Sequence, residues 1–167
     1  MRQLAIERTR FVSRAAALVL LTVVLFAALL AVSRLAPPRA QLIKRWWCFC
    51  SCAILGIEFE KQGVPADECP VVFVSNHVSY IDIIILGSLL NGTFVAKSEI
   101  VGWPIFGLLG RLVGTFFVKR YWRCARQQLN DITARLAFSE SFILFGEGTS
   151  SNGLQVLPLK SSLIGAA

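Results

Sequence analysis

The nineteen residues from Ala15 to Ser33 carry no charge and are rich in Leu, Val, Ala and Phe, with Arg14 and Arg34 at either end. As a helix this stretch is about 28 Å long, close to the hydrocarbon thickness of a bilayer. A cleaved secretory leader is the competing reading, since arginines precede the run and Ala31-Val32-Ser33 mimics a cleavage site. The apolar core of such a leader is about 7–15 residues, shorter than this one, so a membrane-embedded helix at about 15–33 is favoured. A second apolar run, Trp46 to Ile57, is too short to cross and opens on paired tryptophans. It suits an interfacial segment, or a partner helix in a hairpin. Pro37-Pro38 lies between the two runs as a helix break. Residues 1–57 are therefore expected to form a membrane-anchoring region, ahead of a domain over 58–167.

Charge follows the same division. Residues 1–45 hold eight Arg or Lys and one Glu, whereas residues 46–167 hold nine of each sign. The net +7 is thus a basic collar around the apolar segment, suited to anionic lipid headgroups. Basic side chains are not interleaved with aromatics as nucleic-acid binding would require, and that class is set aside. Arg2, Arg8, Arg10 and Arg14 on one side balance Arg34, Arg39, Lys44 and Arg45 on the other, so the positive-inside rule assigns no orientation. A hairpin dipping into one leaflet would put both ends on one side. Cys48, Cys50 and Cys52 match no zinc spacing, and His77 is the only histidine, so no metal is assigned. These thiols are expected to be buried or membrane-facing in a reducing compartment.

Beyond residue 58 the pattern alternates. Val71–Ser75, Thr93–Ala96, Thr115–Val118 and Ser141–Phe145 have the apolar composition of short buried strands. Ser79–Leu90 (with Ser79 as N-cap), Glu99–Val113 and Tyr121–Phe138 have helical spacing, and Pro158 and Lys160 open a further helix. The expectation is an α/β fold, a mostly parallel sheet flanked by helices, which places its chemistry at the carboxyl ends of the strands. The most polar spots fall at those ends: Asn76-His77, Lys119-Arg120 and Glu147-Gly148-Thr149.

In Asn76-His77-Val78-Ser79-Tyr80-Ile81-Asp82 an imidazole and a carboxylate lie five residues apart across a strand-to-helix turn. A carboxylate on one ring nitrogen fixes the tautomer and frees the other nitrogen to act as general base. The alternative is that Ser79 and Asp82 form a helix capping box and His77 is a packed loop residue. Two further blocks follow in order: Gly114-Thr115-Phe116-Phe117-Val118-Lys119-Arg120 and Phe145-Gly146-Glu147-Gly148-Thr149-Ser150-Ser151. With Ala96-Lys97-Ser98-Glu99 and Val156-Leu157-Pro158-Leu159-Lys160-Ser161-Ser162, the chain from about Trp46 onward resembles the glycerolipid acyltransferase family, specifically bacterial 1-acylglycerol-3-phosphate acyltransferases of the PlsC type.

That resemblance implies transfer of a fatty acyl group from acyl-CoA or acyl-carrier protein to a lysophospholipid hydroxyl, with 1-acylglycerol-3-phosphate first among acceptors. Both donors are substrates, and no cofactor is implied. It makes His77 and Asp82 the catalytic dyad, Arg120 with Lys119 the holders of the acceptor phosphate, and Glu147, Gly148 and Thr149 part of the acceptor site. It also implies a bacterial inner membrane with the catalytic part on the cytoplasmic side. The family's third block commonly reads Phe-Pro-Glu-Gly-Thr-Arg; here Gly146 and Ser150 replace the Pro and the Arg. Small polar residues there also occur in relatives that acylate lyso-ornithine lipid, so that acceptor stays open. Family chains usually continue past this point, and a C-terminally incomplete chain is expected. A non-catalytic membrane protein of the same fold and a lipid hydrolase are the remaining alternatives. No Gly-x-Ser-x-Gly elbow is present, so no covalent acyl-enzyme is expected.

Overall fold

The structure is a computed structural model that describes residues 2–35, 37–66, 68–119 and 122–159. It opens on two long helices, α1 (Arg2–Leu35) and α2 (Pro37–Leu55). Trp47 Nε1 donates to Thr22 Oγ1 (3.0 Å), and Arg14 donates to the Leu55 carbonyl (3.1 Å), so the two run antiparallel as a hairpin. Helix α2 reaches back to the proline pair instead of starting near Trp46. Proline is tolerated in a first helical turn, where its missing N–H would have no intrahelical acceptor. The segment Gln3–Val32 of α1 is long and apolar enough to cross a membrane, and almost none of it is buried by the rest of the protein.

Four short strands follow, β1 (Val72–Ser75), β2 (Thr93–Lys97), β3 (Phe116–Val118) and β4 (Phe142–Phe145), in the spatial order β1-β4-β2-β3. Every pairing is parallel, with Val72 opposite Phe142, Phe94 opposite Ile143 and Val95 opposite Phe116. The last strand in sequence is therefore central. This explains its uninterrupted apolar run, because a parallel strand is covered on both faces. Phe142 and Ile143 are fully buried, each contributing about 1.5–3 kcal/mol.

Helices cover both faces. Helix α5 (Trp122–Ala137) lays Ile132 and Leu136 on Phe142, with Val72, Val95 and Phe116 packed around them. On the opposite face α3 (Tyr80–Leu89) and α2 enclose Phe94. The close approach of Gly87 to Cys48 Sγ leaves no room for a β-carbon. Cys48 and Cys52, one helical turn apart, are both buried, and Cys50 is half-buried. The Glu99–Val113 stretch is a 3-10 turn (Ser98–Gly102) and a short helix α4 (Phe106–Leu112), not one helix. Trp103 between them is extended, as a residue preceding proline prefers. Pro158 and Leu159 are not helical, and the rest of the helix expected there, from Lys160 on, lies outside the described residues.

The amino ends of the strands are closed by polar contacts. Lys44 donates to the Gly92 carbonyl at 2.6 Å, and Gln41 donates to the Val113 carbonyl at 2.9 Å. Arg135 and Glu140 form a two-bond ion pair, both distances 2.6 Å.

Candidate active site

At the carboxyl end of the sheet, β1 gives way to Asn76 and His77, and the chain turns into α3. Ser79, in extended conformation, is the N-cap; its hydroxyl accepts from the Ile81 amide at 3.2 Å. Asp82 stands at the third helical position and accepts from the Ser79 amide at 2.9 Å, completing a capping box. The same oxygen, Oδ2, accepts from the Val78 amide at 2.7 Å and faces His77 Nδ1 at 3.0 Å. The capping box and the His-Asp pair, weighed above as alternatives, are one arrangement built around one atom. Partial burial disfavours the charged form of Asp82. The Ser79 and Val78 amides, then His77, outweigh that and hold its carboxyl below the ordinary carboxylate value.

With Nδ1 committed to Asp82, Nε2 is the ring atom left for chemistry, and among the described residues it has no hydrogen-bond partner. The imidazole stacks on Phe145 at the end of β4, with ring centroids 3.9 Å apart and planes at 22°. Phe94 stacks behind Phe145 at 6.3 Å, and Lys44 Nζ lies 5.2 Å from the Phe94 ring centre. Register explains the stack: Phe94 opposes Ile143, so Phe145 projects from the same face two residues further on. A phenylalanine ending a strand carries no marking of this role in the sequence.

Glu147 is only 2% exposed. One carboxylate oxygen accepts from the Leu157 amide at 3.1 Å, and the other faces the His77 amide at 3.4 Å. Its present partners are backbone groups, which pin the segment after β4 against the histidine loop. The Ser151 amide, donating to the His77 carbonyl at 2.7 Å, does the same. Gly148, at φ 66°, takes a left-handed conformation that glycine adopts without strain, and its amide donates to the Phe145 carbonyl. That amide is engaged within its own turn instead of facing an acceptor. Gly146 lies where a β-carbon would press on Leu159 and Val74. Thr149 is exposed on the loop.

The structure thus brings His77, Asp82 and Glu147 together, with Gly148 and Thr149 beside them. Lys119 sits exposed after β3, at the same end of the sheet but on the opposite edge from β1. Arg120 lies outside the described residues. No serine or cysteine side chain among the described residues is hydrogen-bonded to the His77 ring, and none gathers with others as a metal-ligand cluster.

A lyso-ornithine lipid O-acyltransferase of Rhizobium meliloti is 44% identical over 131 residues, covering 78% of this chain and 44% of that protein. A 1-acyl-sn-glycerol-3-phosphate acyltransferase of Neisseria gonorrhoeae is 35% identical over 110 residues, 64% of this chain and 43% of that one. The chain spans about half the length, or less, of these curated relatives. The crystal structure of the 1-acyl-sn-glycerophosphate acyltransferase PlsC from Thermotoga maritima matches with a TM-score of 0.64 at 23% identity. It covers 90% of this chain and 69% of that one, a likeness of fold. The acyltransferase family model matches residues 56–167, the stretch that contains the whole sheet and its histidine, and the chain belongs to that family.

Proposed function

We propose that the protein transfers a fatty acyl group from a thioester to the hydroxyl of a lysolipid, with His77 as general base and Asp82 as its orienting partner. The observation that carries this reading is the 3.0 Å contact between Nδ1 and Oδ2 at the carboxyl end of a parallel sheet, with Nε2 unpartnered among the described residues. Nε2 takes the proton from the acceptor hydroxyl as its oxygen attacks the thioester carbonyl. Collapse of the tetrahedral adduct expels the thiolate, and the same proton passes from Nε2 to the departing sulfur. Asp82 keeps the proton on Nδ1 and balances the imidazolium formed in between. Among the described residues no serine or cysteine is hydrogen-bonded to the His77 ring as a nucleophile would be, which favours direct transfer over an acyl-enzyme.

The acceptor that fits best is lyso-ornithine lipid. The relative at 44% identity carries that name, and Ser150 stands where phosphate-binding members commonly have arginine. Lysophosphatidic acid is the second reading, favoured by the exposed Lys119 at the end of β3. The donor is acyl-CoA or acyl-carrier protein. Such thioesters are cytosolic, so the α/β domain is assigned to the cytoplasmic face of the bacterial inner membrane, with the hairpin as its anchor. The test is transfer of labelled acyl groups to each acceptor in membranes containing the chain, with His77→Ala beside it. Transfer that the substitution abolishes, preferring lyso-ornithine lipid, is expected. Undiminished transfer in His77→Ala would refute the dyad, and a preference for lysophosphatidic acid would reverse the acceptor assignment.

A further inference from the structure

Away from the dyad, one apolar feature is left uncovered among the described residues. Between the 3-10 turn and α4 the chain makes an apolar corner on which Trp103 (43%), Ile105 (64%) and Phe106 (59%) are all exposed, with Leu108 beside them. The Trp103 and Phe106 rings meet edge to face at 6.1 Å. Single exposed apolar residues, such as Phe138, are ordinary, but a run of this kind marks a contact surface.

The corner is built, not loose. The Trp103 amide donates to the Ile100 carbonyl at 3.0 Å and the Gly107 amide to the Trp103 carbonyl at 2.9 Å. A β-carbon at Gly107 would collide with the Val101 and Ile100 carbonyls, so glycine lets α4 close on the turn and pushes the intervening side chains outward. Arg111, itself exposed, turns back to donate to the Gly107 carbonyl at 3.2 Å, placing a cation behind the apolar residues.

Two observations choose the occupant. Helix α4, which the corner opens, packs against α1, the helix apolar enough to cross a bilayer. An aromatic-apolar tip with a guanidinium behind it matches the acyl-to-headgroup boundary of a membrane containing anionic lipid. We propose that the corner Trp103–Leu108, with Arg111, is a second bilayer-contact surface, through which the α/β domain itself seats on anionic lipid. This rests on the reading of the hairpin as a membrane anchor. The turn leaves β2 at the carboxyl end of the sheet, where His77 also lies. Seating the corner draws the catalytic end toward the surface where a lysolipid resides.

The test uses the full chain in vesicles of phosphatidylethanolamine and phosphatidylglycerol, with and without bromine on the acyl chains close to the headgroup. The emission of Trp103 is the difference between the wild type and Trp103→Phe; that of Trp46, on α2, is obtained the same way from Trp46→Phe. Quenching of both is expected. Quenching of Trp46 with none of Trp103 overturns the second contact while leaving the hairpin in place, and quenching of neither removes the hairpin reading together with the proposal that rests on it. Protection of Trp103 by an acidic carrier protein, without quenching by lipid, assigns the corner to a protein partner and likewise overturns it. Turnover separates docking from chemistry. Trp103→Ser combined with Phe106→Ser should lose on the order of tenfold on vesicle-borne acceptor while keeping wild-type turnover on a short-chain, monomeric acceptor. Equal loss on both, or on neither, overturns the proposal.

Discussion

Asp82 Oδ2 gathers two backbone amides and the imidazole, so a single oxygen starts α3 and orients His77. Asp82→Asn keeps the shape and removes the charge. Turnover should fall on the order of 10²–10⁴-fold, and stability at neutral pH by about 0.5–2 kcal/mol, as for a lost helix cap. Because the folded carboxyl titrates below its ordinary value, its contribution is complete above the unfolded pKa and is lost as pH falls through the folded one. Denaturant melts of wild type and Asp82→Asn should therefore converge in acid; a gap that persists there would contradict the assignment. Phe145→Leu should lower kcat with KM little changed, and Phe145→Tyr should restore it, since only an aromatic face preserves the 3.9 Å stack. Equal activity in the Leu and Tyr variants would show that the stack is not used. The His-Asp pair was legible because its parts are five residues apart and a capping motif carries the geometry locally. Phe145 was not, because its role depends on β4 lying beside β1, seventy positions away in register. The burial of Glu147 was hidden for the same reason, its partners His77 and Leu157 being set by tertiary folding.

The strands are legible to within a residue because each is a short apolar run bounded by Gly, Pro or polar residues. Helix α3 was found because Ser79 caps it. Sheet order was not legible, since parallel pairing is a long-range choice that no local pattern encodes. The break at Trp103-Pro104 was written in the proline, but the apolar spacing around it suggested one helix. The proline pair at 37–38 does divide α1 from α2, but it does so as the first turn of α2, which makes that helix longer than the apolar run from Trp46 suggests. Where α2 crosses α3 the packing makes a specific demand. Gly87→Ala puts a β-carbon 2.6 Å from Cys48 Sγ but 3.5 Å from Cys48 Cβ, the latter an ordinary contact. Gly87→Ala alone should cost about 1–3 kcal/mol, and adding Cys48→Ala should return most of it. Thermal unfolding of the four members of the cycle measures this; additive losses would mean the two positions do not meet.

At the scale of the molecule, α1 leaves an apolar surface uncovered along most of its length, with Val19, Leu20, Val23 and Val24 all exposed. Val23→Arg should weaken insertion by about 2.5–3.5 kcal/mol, moving the chain from the alkali-resistant membrane fraction to the extractable one. An unchanged distribution would mean that the hairpin is not what holds the protein. Helix α2 differs from α1 in having two tasks. Its Trp47 side touches α1, while Cys48 and Lys44 line the inner wall around Gly87 and Phe94. Trimming the chain at residue 57 should therefore yield aggregate by size exclusion, not a soluble core. The order of synthesis gives this shared helix a further consequence. With the hairpin as the proposed anchor, it leaves the ribosome before any strand does, so the sheet would acquire its second wall from a helix already in lipid. On that reading the bilayer would serve as a workbench on which the domain is completed, and a nascent chain delivered late to it would have a finished β-sheet sequence with nothing to close against.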